Sequence, residues 1–480
     1  MADLTPIRVR IAPSPTGYLH LGTIRAALFN YLFAKKEGGK FIVRVEDTDT
    51  ERSLPIYEND ILEGFKALKL LWDEGPDIGG QYGPYRQSER TEIYRDFIKK
   101  ILDEKRAYFC FCTKEELEQE RQAMLSSGLF PKYSGKCKSL SPEQIAKNKK
   151  DGKEGVIRLI APSNVDIEFN DIIRGKIVVN SDTIGDIVIA RNEQSPLYNL
   201  AVVIDDYLMK ISHVIRGEDH ITNTPKQILI QRALGIEPPK YAHFPLVLNA
   251  DRSKMSKRKM ETSFDEYLKS GYIPEALVNF LAFLGWHPDD EKEILTIEEM
   301  VSKFSLKRVQ KAGAIFNVEK LDWFNSQYIK KMPLEELSEK MKKYVPEAWL
   351  SDDKKFIKAL AIEQERMKVL SEFKDRAGFL FEIPEYDVEL LKWKNDSPES
   401  TKKSLTRMRD AINELEPKDF SKTVLEEKLM PVAASIGRGE SLWPLRVALS
   451  GLKNSPGPFE ILEVLGKKES LKRIDAALAK

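Results

Sequence analysis

What the 480-residue sequence lacks excludes several classes of protein. No apolar run approaches the length of about 18 residues that a membrane-spanning helix needs. The first residues show no signal-peptide pattern, so we expect a cytoplasmic protein without membrane association. The three cysteines all lie within residues 110–137, and this odd number does not make a disulfide framework.

The sequence also has no excess of either charge. Lys and Arg number 76 and Asp and Glu number 75, which gives a net charge of +1. That balance neither requires nor excludes a nucleic-acid partner, because binding depends on local basic patches. A hydrophobic fraction of 42% suffices for ordinary cores, and the length corresponds to about three domains.

Residues 8–25 combine a strand, a turn and a helix start. Alternating Ile7, Val9 and Ile11 predict a strand, and Pro13 and Pro15 end it. An apolar helical pattern follows from residue 24 onward. The amides of a helix N-terminus favour anions, so this corner predicts a nucleotide site of the doubly wound kind. The segment lacks G-x-G-x-x-G and is therefore not the dinucleotide fingerprint.

The amino-acid sequence of this corner resembles a known signature. Ala-Pro-Ser-Pro-Thr-Gly at 12–17, followed by His20-Leu-Gly-Thr23, is similar to the HIGH motif of class I aminoacyl-tRNA synthetases, in particular the glutamyl branch. Thr23 replaces the final His, a variation that the branch tolerates. The alternative is that His20 is a structural histidine at a helix start.

A basic loop far along the chain resembles the second class I signature, KMSKS. It reads Lys254-Met-Ser-Lys-Arg258, with Arg258 in place of the last Ser. Two lysines around a serine can neutralise the charge that develops on pyrophosphate. The resemblance implies catalytic roles for His20, Gly22, Thr23, Lys254, Ser256 and Lys257, and ATP binding by Pro13, Gly17, His20, Gly22 and Lys257.

Charged residues follow two predicted strands where α/β sheets place ligands. Glu46 follows the strand at 40–45 and could take an ammonium or a ribose hydroxyl, although the adjacent residues could equally cap a helix. Arg216 ends the strand at 211–216, and its planar fork suits a carboxylate. The alternative is a salt bridge to a nearby acid. The resemblance implies that glutamate is bound by Arg10, Ala12, Ser14, Glu46, Tyr198 and Arg216.

The cysteines offer a possible metal site. Thiolates of Cys110 and Cys112 can share a soft metal, and Cys137 could join from a returning loop. Some family members hold zinc at this spacing, with a fourth ligand two residues after the third Cys. Here that position is Ser139, a poor zinc ligand. Two interpretations remain open. The three thiolates hold zinc together with water or Tyr133, or the three cysteines are leftover thiols of a degenerate site.

The resemblance implies an α/β fold with the following domain organisation. A Rossmann-like class I catalytic domain at 1–85 and 186–245 is split by an inserted acceptor-stem-binding domain at 86–185. A stem-contact domain follows at 246–322, and an all-helical anticodon-binding domain at 323–480. The strand predicted at 186–190 is expected to return to the main sheet. Glu365-Arg366 and residues 437–439 are candidate anticodon contacts, although any of them can be ordinary surface residues.

The implied activity is two-step ligation of L-glutamate to tRNA-Glu through glutamyl-adenylate, with ATP, Mg²⁺ and a monomeric enzyme. A paralogue that charges tRNA-Gln also or instead, and a tRNA-binding relative without catalysis, are the alternatives. The helical tail argues against a glutaminyl enzyme, which would carry β-barrels there.

Overall fold

The computed structural model describes residues 6–129, 131–253, 263–382 and 384–480. The chain divides into two compact units. The first contains the chain up to Glu266 together with Leu277–Asn317, and the second contains Tyr267–Ala276 and Val318–Lys480. Within the described ranges, no helix combines the length and the apolar character that crossing a membrane requires.

The first unit contains strands throughout its length. They are β1 (Arg8–Ile11), β2 (Lys40–Val43), β3 (Ala107–Cys110), β4 (Val156–Leu159), β5 (Asp166–Asp171), β6 (Gly175–Asn180), β7 (Val188–Asn192), β8 (Ser195–Pro196), β9 (His213–Gly217), β10 (Lys240–Phe244), β11 (Val247–Leu248) and β12 (Ala314–Ile315).

Helices lie between several of these strands, and two of the helices cross the boundary to the second unit. They are α1 (Leu21–Lys36), α2 (Pro55–Ala67), α3 (Thr91–Asp103), α4 (Lys114–Ser126), α5 (Pro142–Lys150), α6 (Tyr198–Leu208), α7 (Thr224–Leu234), α8 (Phe264–Lys269), α9 (Pro274–Phe283) and α10 (Ile297–Lys303). In α1, Ile24, Leu28 and Leu32 recur every four residues and are completely buried, which confirms the predicted apolar helical pattern.

Parallel strand pairs form the framework of the first unit. β1 pairs with β2, and β9 pairs with β10, both in parallel. The N–H of Ser212 donates to the carbonyl of Arg8 at 2.9 Å, which brings the start of β9 beside the start of β1. Phe41, Ile42 and Val43 of β2 are all completely buried, as expected for a parallel strand covered on both faces.

The connection between the two strand pairs forms an antiparallel sheet of its own, in the order β3-β4-β7-β8. The strand expected at 186–190 lies here, because Ala190 of β7 pairs with Ile157 of β4. Its predicted return to the main sheet is therefore wrong. The hairpin of β5 and β6 extends the main framework instead, through pairing of β5 with β10. Period-two patterns predicted the strands, but not which partner each strand would find.

The second unit is helical in its described part. Its helices are α11 (Val318–Lys331), α12 (Leu334–Met341), α13 (Asp353–Gln364), α14 (Glu372–Phe381), α15 (Pro398–Glu414), α16 (Lys422–Ile436), α17 (Arg438–Ser450) and α18 (Pro458–Leu478). Their apolar faces form one core that includes Phe356, Phe373, Met408, Leu445 and Ile461. The predicted all-helical tail is confirmed for these residues.

Candidate active site

The turn between β1 and α1 ends in a helix cap made by His20. Nδ1 of His20 accepts a hydrogen bond from the backbone N–H of Thr23 at 3.3 Å, and Nε2 lies 3.1 Å from Oγ1 of Thr23. His20 is thus a structural histidine at a helix start, which was the alternative interpretation of the sequence. It also stands where the first amides of α1 and the helix dipole favour an anion, so a phosphate contact stays compatible with the cap.

This corner is fixed from two other parts of the chain. Oδ2 of Asp60 in α2 accepts a hydrogen bond from the N–H of Leu19 at 2.6 Å. The N–H of Phe264 donates to the carbonyl of Leu19 at 3.1 Å. Lys254, Ser256 and Lys257 lie outside the described residues. The described chain resumes at residue 263, and Phe264 contacts the corner that carries the first signature.

Buried ion pairs join two of the residues predicted to bind glutamate. Asp206 in α6 accepts from Nε of Arg10 at 3.0 Å and from Nη1 of Arg44 at 2.6 Å. Nη2 of Arg44 in turn donates to Oε1 of Glu46 at 3.0 Å. All four residues are at most 7% exposed. Arg10 and Glu46 are therefore brought together through two residues to which the sequence had assigned no role.

The electrostatics of this network differ from one carboxyl group to the other. Burial raises the pKa of Asp206, but Arg10 and Arg44 outweigh it and hold that pKa below its ordinary value. For Glu46, burial outweighs Arg44 and Arg10, and its pKa is raised. Arg44 is thus shared among three acids, Asp205, Asp206 and Glu46, and Glu46 retains an affinity for a further cation.

Asp205, one residue earlier in α6, lies beside the same arginine, with its Oδ2 3.8 Å from Nε of Arg44. It accepts hydrogen bonds from Arg90 at 2.7 Å, from Tyr94 at 2.9 Å and from Gln87 at 2.8 Å. The signal that the sequence offered was two adjacent acids in an otherwise apolar helix. Such acids are buried only when they are paired.

Tyr198 begins α6 and lies within the electrostatic field of the other predicted site residues. Burial raises its pKa most, Glu46 raises it further, and Arg216 lowers it. Its hydroxyl lies 3.1 Å from Nδ1 of His220. Burial and the nearby Arg216 lower the pKa of His220 to about 4, so the neutral ring accepts the hydroxyl proton of Tyr198.

Arg216 is a buried guanidinium whose hydrogen-bond acceptors are all neutral. Its Nε faces Nε2 of His243 at 3.1 Å, and its Nη2 donates to Thr224 Oγ1 and Gln227 Oε1, both at 2.8 Å. Nη1 is buried without a partner in the described part of the chain. Burial lowers the pKa of Arg216. Because no carboxylate of the described residues pairs with it, the salt-bridge alternative finds no support.

The remaining predicted residues lie along the same corner, with different exposure. Pro13 is buried, and its carbonyl accepts the N–H of Glu46 at 2.9 Å. The others are partly or fully accessible, as expected for ligand-facing backbone: Ala12, Ser14, Gly17, Gly22 and Thr23.

The three cysteines come together around a tyrosine. The Sγ atoms of Cys110, Cys112 and Cys137 lie within 4.8 Å of one another. The hydroxyl of Tyr133 lies 3.3 Å from the Sγ atoms of Cys110 and Cys112. Tetrahedral zinc with Zn–S bonds of about 2.3 Å separates its sulfur ligands by about 3.8 Å, close to the 3.5 Å between Cys112 and Cys137. Ser139 is exposed at the end of the adjoining turn.

Thiol acidity in this cluster is uneven. Burial raises the pKa of Cys112 to about 12. For Cys110, burial is outweighed by hydrogen bonds from Tyr133 and the N–H of Cys112 and by Arg158, so its pKa is lowered. Three sulfurs and one phenol oxygen fit a zinc ion, which would hold the thiols deprotonated.

Comparison with known proteins identifies the family. The family described as tRNA synthetases class I (E and Q), catalytic domain, matches residues 6–323, and the family described as anticodon binding domain matches residues 336–478. These matches confirm the predicted fold class, with a class I catalytic domain followed by a helical anticodon-binding region.

Individual relatives agree along the full length. Glutamate--tRNA ligase 2 of Caldicellulosiruptor saccharolyticus is 44% identical over 99% of both chains. Glutamate--tRNA ligase of Carboxydothermus hydrogenoformans is 42% identical over 98% of this chain and 99% of its own. The crystal structure of a glutamate tRNA ligase from Elizabethkingia meningosepticum, in complex with its amino acid, has a TM-score of 0.90 at 37% identity and 99% coverage of both chains. The chain belongs to the class I aminoacyl-tRNA synthetases, in the branch of the glutamate–tRNA ligases.

Proposed function

We propose that the chain ligates L-glutamate to tRNA-Glu in two steps, through a glutamyl-adenylate, with release of AMP and pyrophosphate. The observation that carries the choice of amino acid is the state of Arg216. It is a buried cation with neutral acceptors and an unpartnered Nη1. A substrate carboxylate would supply the missing counter-charge in a bidentate pair, whereas the neutral amide of glutamine would not.

The other end of the amino acid meets the network around Asp206. Glu46, with its raised pKa, receives the α-ammonium, which supplies a second cation beside Arg44. Arg10 lies on the same carboxylate as Arg44 and can face the α-carboxylate or the adenylate oxygen. Tyr198 forms a wall between the two ends, and Ala12 and Ser14 supply the backbone edge. Ground-state binding is therefore divided between a cationic and an anionic end of the pocket.

ATP binds across the two signatures. Pro13, Gly17, His20, Gly22 and Thr23 contribute the corner at the start of α1, and Lys254, Ser256 and Lys257 contribute the basic loop. The protein supplies no covalent nucleophile; it positions the reactants and stabilises phosphate charge. Mg²⁺ enters with ATP, because this ion is bound mainly by phosphate oxygens and water with one or two carboxylates. The terminal ribose hydroxyl of the tRNA then attacks the adenylate.

Zinc is the proposed metal of the cysteine cluster, held by Cys110, Cys112, Cys137 and the hydroxyl of Tyr133. The donor set is three soft thiols, whose Sγ atoms lie within 4.8 Å of one another, and one phenol oxygen 3.3 Å from two of them. Tyr133 takes the place that Ser139 cannot fill, because its hydroxyl already contacts two of the sulfurs. The ion would tie β3 to the turn that carries Cys137. A monomeric enzyme in the cytoplasm stays the prediction from sequence.

Aminoacylation with purified tRNA-Glu and tRNA-Gln, using labelled glutamate and glutamine in separate reactions, tests this function. Glutamate should be attached to tRNA-Glu, and glutamine to neither tRNA. Attachment of glutamate to tRNA-Gln as well would identify a non-discriminating enzyme. No attachment with any pair, from protein that still binds tRNA, would identify a catalytically inactive relative.

A further inference from the structure

We propose that Asp171 and His243 act as a positioning pair that orients Arg216 and presents it with a neutral acceptor, so that the guanidinium is reserved for the substrate carboxylate. The inference rests on the proposed role of Arg216 in glutamate binding. Neither residue of the pair belongs to the signatures, and Asp171 lies in the hairpin of β5 and β6, before the second half of the nucleotide fold.

The three side chains form one buried chain of hydrogen bonds. Nδ1 of His243 lies 2.6 Å from Oδ2 of Asp171, and Nε2 of His243 lies 3.1 Å from Nε of Arg216. His243 is completely buried, Asp171 is 3% exposed and Arg216 is 6% exposed. Three strands supply the members: β5 ends at Asp171, while β9 and β10 carry Arg216 and His243 in paired register.

The contacts determine which nitrogen of His243 carries the proton. Nε of a guanidinium always bears hydrogen, so Nε2 of His243 must be the acceptor. The ring proton therefore resides on Nδ1 and is donated to the carboxylate of Asp171. A doubly protonated ring would set N–H against N–H at Arg216 and add a second buried positive charge.

Asp171 is itself held in a fixed orientation. Its Oδ1 accepts the backbone N–H groups of Ile173 at 3.0 Å and Arg174 at 2.8 Å. Its Oδ2 accepts the backbone N–H of His243 at 3.1 Å together with the hydrogen bond from the ring of His243. Burial raises the pKa of Asp171, but the hydrogen bond from His243 and the backbone N–H groups outweigh it and hold the pKa below its ordinary value. The carboxylate thus stays an acceptor at neutral pH and fixes the tautomer.

Asp171→Asn reverses the donors and acceptors in this series of hydrogen bonds, with almost no change in the shape of the side chain. The backbone N–H groups of Ile173 and Arg174 point at the Oδ1 position and favour the amide oxygen there. The amide NH₂ then faces Nδ1 of His243 and also the backbone N–H of His243, which loses its acceptor at the Oδ2 position. Nδ1 then accepts, Nε2 carries the proton, and an N–H confronts the N–H of Arg216. The acceptor of a buried cation is lost without creating a cavity.

The kinetic test measures kcat/KM for glutamate and for ATP in a double-mutant cycle with Arg216→Ala. Asp171→Asn should lower kcat/KM for glutamate about 10-fold or more through KM, and leave kcat/KM for ATP within about twofold. In the Arg216→Ala background the same substitution should cost less than about twofold. Asp166→Asn is the matched control, because Asp166 is an exposed residue of the same strand whose carboxylate, among the described residues, accepts a hydrogen bond from Asn180. It should leave both constants unchanged.

Equal losses in both backgrounds, or equal losses for glutamate and ATP, would overturn the proposal and make Asp171 a purely structural residue. If Arg216→Ala itself leaves glutamate kinetics unchanged, the proposed amino-acid site fails rather than this pair.

A spectroscopic test adds a measurement on wild-type protein, which does not require any variant to fold. With only five histidines, ¹⁵N-histidine labelling and long-range ¹H–¹⁵N correlation can distinguish the tautomers of each ring. In wild-type protein the ring of His243 should be protonated on Nδ1 alone, and its pattern should switch to Nε2 in Asp171→Asn. A wild-type His243 protonated on Nε2 would overturn the proposal.

Discussion

A Cβ atom at Gly22 would lie 3.1 Å from Nδ1 of His20, which is closer than side chains ordinarily approach. Gly22 thereby leaves room for the imidazole to lie over the start of α1 and accept the N–H of Thr23. The glycine of the first signature is thus a packing requirement of its histidine. Its backbone is helical, so no unusual φ angle is involved.

Gly22→Ala should therefore displace the ring of His20 and impair ATP use. We expect kcat/KM for ATP to fall about 10-fold or more in aminoacylation assays, since small displacements of a positioning group have large effects on rate. Gly378→Ala is the matched control, because Gly378 also lies in a helix but its added Cβ would be 3.6 Å from the nearest atom of Trp349. That variant should keep full activity; an equal loss in both would contradict the role given to Gly22.

Arg216→Ala should erode the preference for glutamate over glutamine. Glutamate would lose its charge-assisted pair with the guanidinium, whereas neutral glutamine has less binding energy to lose. The ratio of kcat/KM for glutamate to kcat/KM for glutamine should therefore fall about 10-fold or more. Competition between labelled glutamate and glutamine on tRNA-Glu gives that ratio directly. Arg232→Ala, an exposed arginine of α7, should not change it. Unchanged discrimination in Arg216→Ala would remove Arg216 from the pocket.

Purified protein should contain one zinc ion per chain, measured by elemental mass spectrometry. Cys112→Ser should lose the ion, and Tyr133→Phe should bind it more weakly, because the phenol oxygen completes the four donors. Ser139→Ala should retain wild-type zinc content, since that side chain is exposed. Loss of zinc in Ser139→Ala, but not in Tyr133→Phe, would reassign the fourth ligand; no zinc in wild-type protein would indicate a degenerate site.

Acid should destabilise the fold through His213. Burial, assisted by Lys240, lowers its pKa to about 4, from an unfolded value of about 6.5. The unfolded state therefore binds the proton more tightly. The stability is fully present above about pH 6.5 and is lost as the pH falls toward 4.

Urea unfolding at pH 7.5 and 5.5 measures this effect. His213→Gln should reduce the pH-dependent loss of stability by up to about 1 kcal/mol, because one group no longer takes up a proton on unfolding. His287→Gln, at an exposed position, should show the wild-type loss. The same pH dependence in all three proteins would contradict a role for burial of His213.

Local patterns in the sequence predicted the elements that carry the site. Alternating apolar residues gave β1, a spacing of four gave α1, and the arginine at the end of β9 was correctly placed. The alternation in β1 and the spacing of four in α1 are periodic within a few residues, so they do not depend on distant partners. The family and its helical tail followed from the two signature motifs and from composition.

Long-range partners could not be predicted in this way. The sequence placed the strand at 186–190 in the wrong sheet, because a strand pattern does not encode its neighbour. It also gave no role to Asp206 or to Asp171, since a buried acid is recognised only by the cation or histidine that folding brings to it.

The sequence by itself determined the enzyme family, the order of strand, turn and helix at residues 8–25, and the residue types available for phosphate and carboxylate binding. Only the tertiary structure decided how the charges are distributed. It pairs Arg10 and Arg44 with Asp206, yet surrounds Arg216 with neutral acceptors. The physical reason is that an ion pair depends on distance and desolvation, and both are set by strands far apart in the chain.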